Sequence, residues 1–105
     1  MELNIFWTEF AKNELEIIYK YYREKAGIVI SKKLVKGIYN ETLTLKNQPE
    51  IGQIEELLKN RKEEFRYLIY KNYKLIYWIN SKENQIEISD VFDTRQSPPK
   101  IKRTK

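Results

Sequence analysis

The chain of 105 residues has no cysteine and no histidine, and only three glycines and three prolines. Without thiol or imidazole there is no cysteine nucleophile, no histidine-based triad, no zinc site of the usual ligands and no disulfide framework. Any catalysis must draw on carboxylates, Lys, Arg, Tyr, Ser or Thr, and neither a metal nor a cofactor is expected. Zero cysteine fits a reducing compartment. Apolar runs are short too: Leu75 to Ile79 is the longest, at five residues, against the ~20 that a membrane-spanning helix needs. Met1 to Trp7 lacks the basic stretch and apolar region of a signal peptide. The expectation is one soluble, cytoplasmic domain with no membrane partner.

What is present is charge, unevenly placed. There are 20 Lys and Arg against 15 Asp and Glu, a net +5. Residues 96–105 contain Lys100, Lys102, Arg103 and Lys105 and no acid, so residues 1–95 are nearly neutral. A basic balance invites a nucleic-acid reading, and here it localises to the terminus. Gln96-Ser97-Pro98-Pro99 ends regular structure, which divides the chain into a domain over 1–96 and a flexible basic tail over 97–105.

Leu3 to Trp7 is short, apolar and partly alternating, and reads as a strand. Thr8 stands where a helix N-cap belongs, with Glu9 in the first turn. Ala11, Leu15, Ile18 and Tyr22 share one face of a helix that Gly27 closes. A second helix begins near Ile28 and runs to Leu45 or Lys46, with Ile30, Leu34, Ile38 and Leu45 in one stripe. Gly37 within it costs about 1 kcal/mol relative to Ala, which close approach of a neighbouring backbone would offset. Asn47-Gln48-Pro49 stops the helix, and the pair forms an αα-hairpin.

Pro49-Glu50-Ile51-Gly52 signals a turn, and Gln53 to Glu64 reads as a charged surface loop with one helical turn. The period then changes. Phe65–Tyr70, Tyr73–Ile79 and Gln85–Phe92 are rich in β-branched and aromatic residues and separated by turn residues, so they form an antiparallel meander. The order strand, helix, helix, strand, strand, strand gives an α+β fold with a helical hairpin on one face of a mainly antiparallel four-stranded sheet. Two helices cover only one face, which leaves the other for solvent or a partner.

The chain resembles the RelE/ParE superfamily of toxins from type II toxin-antitoxin systems. The resemblance is carried by Trp7-Thr8 and the following helix, by Leu45 with Asn47-Gln48-Pro49-Glu50-Ile51-Gly52, by Phe65-Arg66-Tyr67-Leu68, by Asn72-Tyr73-Lys74-Leu75-Ile76-Tyr77 and by Ile88 to Pro98. It is stronger for ParE-like than for RelE-like members. It implies a growth-inhibiting, plasmid-stabilising toxin, held in a hetero-oligomer by a cognate antitoxin that lays a helix or strand over the hairpin and sheet. A ParE-like toxin inhibits DNA gyrase and is not itself a hydrolase. The RelE-like alternative cleaves messenger RNA on the ribosome, and a degenerate, non-toxic binding module is a third reading.

RelE-like cleavage needs a base for the ribose 2′-hydroxyl, cations for the phosphorane-like transition state and a proton donor for the leaving oxygen. By resemblance the nuclease candidates are Arg66, Lys74 and Arg95. No Tyr or His follows Arg95, which tilts the choice toward gyrase inhibition, with Arg95, Lys100, Lys102 and Arg103 as target-binding residues. Each has a structural reading beside the functional one. Arg66 either meets an anionic partner or pairs with Glu87 or Asp90, and Lys74 either acts or lies on a solvated strand face. Arg95 either contacts the target or pairs with Asp93, and the tail either binds nucleic acid or only solubilises. Most of the eight tyrosines are expected to pack in the core with a wet hydroxyl rather than to stack on bases. Ile54, Leu57 and Leu58 either form an interaction surface or fold back on the core.

Overall fold

A computed structural model describes residues 2–105. The elements are β1 (Asn4–Trp7), α1 (Glu9–Ala26), α2 (Ile28–Leu43), β2 (Gln53–Ile54), β3 (Arg66–Tyr70), β4 (Tyr73–Asn80) and β5 (Gln85–Asp93), with short 3₁₀ turns at Thr44–Lys46, Glu56–Leu58 and Pro98–Arg103. They form one sheet in the order β1-β5-β4-β3-β2. β1 runs parallel to β5, from Asn4 opposite Gln85 to Trp7 opposite Ile88, and the other pairings are antiparallel. The expected meander is present, and the loop before it adds a two-residue fifth strand at the edge.

The hairpin starts and turns where local chemistry directs. The Thr8 hydroxyl accepts from the Ala11 N–H at 3.1 Å, capping α1, and donates to the Ile88 carbonyl at 3.2 Å. That second bond ties the helix start to β5, so the cap also fixes tertiary position. Gly27 takes φ +91° between the helices, a conformation that a side chain disfavours. Gly37 does permit a close approach, but by a side chain: a Cβ there would overlap the Tyr70 phenol rather than backbone.

Between hairpin and sheet lie Ala11, Leu45, Tyr77, Ile86 and Ile88 at one end and Leu34, Ile38, Tyr73, Leu75 and Val91 at the other. A bulge lets both groups face the helices. Ile76 pairs with Asp90 and Tyr77 with Ile88, so Ser89 is the extra residue, and it shifts the alternation of β5 by one.

The opposite face is not open. Leu58 from the second 3₁₀ turn and Ile101 from the terminal one close over Phe65, Ile76 and Phe92, all at most 3 % exposed. The terminal segment, expected to be a flexible tail, is instead a structural layer. Ile101 and Thr104 are buried at spacing three, one 3₁₀ turn apart. The fully buried Asp90 carboxylate accepts from Arg103 Nε and Nη2 and from the Thr104 hydroxyl. Arg61 donates to the carbonyls of Lys102 and Thr104 at 2.6 and 2.7 Å. Sequence favours a free end because terminal charge runs are usually solvated. Here one isoleucine to bury and one buried acid to neutralise outweigh that tendency.

Candidate functional site

β5 delivers Asp93 and Arg95 to the rim of a crevice beside α1. The Asp93 carboxylate accepts from the Arg95 backbone N–H at 2.9 Å, from its Nε at 3.0 Å and from its Nη2 at 2.8 Å. The β3–β4 turn fixes this exit: Asn72 donates to Asp93 Oδ1, and its carbonyl accepts from both the N–H and the hydroxyl of Thr94. The Arg95 hydrogen bonds hold the Asp93 carboxyl down to about 2 despite partial burial, and Asp93 in turn raises the Arg95 guanidinium. The expected local pair is present, yet the Arg95 side chain stays 62 % exposed, so it keeps one face toward solvent.

The crevice behind Arg95 has a volume of about 530 Å³ and is lined by Tyr22, Tyr73, Val91, Asp93, Arg95 and Arg103 among others. Burial, with the Tyr22 hydroxyl alongside, raises the Tyr73 phenol well above its ordinary value, so it stays protonated at any physiological pH. Arg103 crosses the floor. It pairs with Asp90 at 3.0 Å and with Glu14 of α1 at 2.8 Å, and lies between the rings of Phe10 and Phe92. It is an anchor, whereas Lys100 and Lys102 on the same turn are exposed.

The three nuclease candidates do not converge. Arg66 shares the helix-facing side with its cross-strand partner Tyr77, while Lys74 lies on the other side over the Tyr67 ring, at 4.1 Å. Arg66 donates to the carbonyls of Glu50 and Gly52 and pairs with Glu64, not with Glu87 or Asp90. These bonds hold the loop in which the Gly52 N–H donates to the buried Tyr77 hydroxyl, itself a donor to Pro49. Lys74 is neither free nor on a solvated face: it pairs at 2.7 Å with Glu55, which is 4 % exposed. Leu58 folds into the core, whereas Ile54 and Leu57 stay partly exposed.

Of two acids that organise the region, Glu55 is missed when the sequence is read for function, and Asp90, considered there as a partner for Arg66, pairs with Arg103 instead. Glu55 carries no signal within a stretch of mixed charges. Asp90 does: an acid inside an apolar strand, with a basic segment still to place, calls for a cation from that segment. Among the described residues no cluster of acids is arranged to hold a metal, and no helix is long and apolar enough to cross a membrane.

The family described as the ParE toxin of the type II toxin-antitoxin system parDE matches residues 5–98. The chain belongs to the ParE toxin family. A solved chromosomal ParDE toxin-antitoxin system from P. aeruginosa contains a chain similar in fold, with TM-score 0.72 and 18 % identity over 88 % of this chain and 96 % of that one. The YoeB dimer from Staphylococcus aureus is similar at TM-score 0.52 and 25 % identity over 87 % and 95 %. No curated protein matches in sequence. For this ParE-family chain the match ends at Pro98, so the lysine-bearing turn of the terminal segment falls outside it.

Proposed function

We propose that the protein is a growth-inhibiting toxin that acts when free by inhibiting DNA gyrase and is silenced by a cognate antitoxin. Membership of the ParE family supports the toxin reading. The observation that carries the choice of target is the separation of the basic residues. RNA cleavage would need Arg66, Lys74 and Arg95 around one phosphate, but Arg66 and Lys74 lie on opposite sides of the sheet and Lys74 is neutralised by a buried acid. Arg95, Lys100 and Lys102 face outward and remain available to a macromolecular target.

The antitoxin would cover the hairpin. Trp7, Leu15, Tyr19, Val35 and Tyr39 line an apolar groove of about 500 Å³, and the buried Trp7 Nε1 has no hydrogen-bond partner. Inhibition of gyrase places the toxin in the cytoplasm.

The test is to produce the protein alone and assay gyrase supercoiling and translation separately. Loss of supercoiling with intact messages is expected. Cleaved messages beside unaffected supercoiling would select the RelE-like alternative, and growth without arrest would select a non-toxic binding module.

A further inference from the structure

The anchoring of the terminal segment has a pattern. Ile101 and Thr104 point inward, Arg103 is tied to Asp90 and Glu14, and Lys100, Lys102 and Lys105 are exposed. The Arg61 guanidinium grips the carbonyls of Lys102 and Thr104, which brings the loop that carries the exposed Lys59 and Lys62 against the same edge. Among the described residues none of these five lysines is in an ion pair. Glu63 and Glu64, just after Lys62, and Glu56, three before Lys59, are the acids nearest in sequence, and Glu64 is paired with Arg66.

We infer that the terminal turn and the loop before β3 form a preordered cationic ledge that binds the phosphodiester backbone of a nucleic-acid duplex. The ligand is a backbone rather than exposed bases because the ledge offers no free ring for stacking: Phe65 and Phe92 are buried, and Phe10 lies under Arg103 and Lys105. The main chain is already fixed by the anchors, so binding orders only lysine side chains, and counterion release supplies the driving force. The inference rests on reading the terminal cations as target contacts, and it adds Lys59 and Lys62.

The experiment uses the full chain and a fluorescent, random-sequence DNA duplex, with affinity read by anisotropy across a salt series. Neither gyrase nor ribosome is present, so the ledge can fail while gyrase inhibition stands, and the reverse. Lys59→Ala, Lys62→Ala, Lys102→Ala and Lys105→Ala combined should weaken binding roughly tenfold or more and flatten the salt slope by about 0.9 for each phosphate no longer neutralised. Removing the same charge from the hairpin, with Lys25→Ala, Lys32→Ala, Lys33→Ala and Lys36→Ala combined, should leave affinity and slope nearly unchanged. Equal weakening in the two variants would overturn the ledge in favour of diffuse charge. Wild type that binds polyglutamate as tightly as the duplex would overturn it too, whereas weak binding of polyglutamate supports it. An RNA duplex of the same sequence in a parallel arm identifies which nucleic acid supplies the backbone. Should the fourfold variant melt early, Lys62→Glu with Lys102→Glu gives the same reading through repulsion.

Discussion

On the helical side of the sheet, α1 and α2 bury Leu34 and Ile38 yet leave Ile17, Tyr21, Ile28, Val29 and Ile30 more than half exposed. On the other side, the terminal turn buries Ile101 and presents lysines to solvent. Both layers close a core, but one ends in an apolar surface and the other in a cationic one. The first suits a protein partner and the second an anionic one, and the two surfaces meet at the crevice behind Arg95, which Ile17 and Tyr21 also line.

The contrast breaks most easily at Ile101. Replacing it by Ala should cost about 2–5 kcal/mol, as for other buried aliphatic truncations, measured as a shift in urea or thermal midpoint. A change within about 0.5 kcal/mol, typical of exposed positions, would show the terminal layer to be a free tail after all. Asp90→Asn removes the charge that holds Arg103 and should cost about 1–3 kcal/mol, the range for a disrupted buried hydrogen-bonding group, again read by denaturation.

A smaller effect comes from Asp93. Its carboxyl sits at about 2 in the fold, chiefly through Arg95, against an ordinary 3.8. The folded value is depressed, so the pair's contribution is fully present above about 3.8 and is lost as pH falls toward 2. Arg95→Ala should flatten the pH dependence of stability in that window: the variant is less stable than wild type near neutrality, by a modest amount because the pair is open to water, and the two converge as pH falls toward 2. Melting curves across the acidic range, from below the folded value to above the ordinary one, check this. The smallest effect on stability should be Val29→Glu, within about 0.5 kcal/mol at a position 76 % exposed. Its consequence should appear in weakened antitoxin binding, measured by calorimetry.

The element order is readable because each signal is local. Thr8 marks a cap, Gly27 a turn, Pro49 a stop, and the change from a period of 3.6 to one of two marks where helices give way to strands. The second layer is not readable, since it depends on pairings far apart in sequence: Arg61 with the carbonyls of Lys102 and Thr104, Asp90 with Arg103, and Glu55 with Lys74. The site is legible in part. Arg95 lies exposed at the exit from β5 with the expected Asp93 partner. Arg103, expected to bind a target, is an anchor, and the placement of Arg66 and Lys74 depends on carboxylates and carbonyls that no spacing rule selects.

Whether the free protein acts on gyrase through Arg95 or on RNA through Lys74 is decided most directly by supercoiling of relaxed plasmid by gyrase, in the presence of wild type, Lys74→Ala and Arg95→Ala. Inhibition by wild type and by Lys74→Ala is expected, with none by Arg95→Ala. Supercoiling untouched by wild type, together with ribosomal message cleavage that Lys74→Ala abolishes, would contradict action on gyrase.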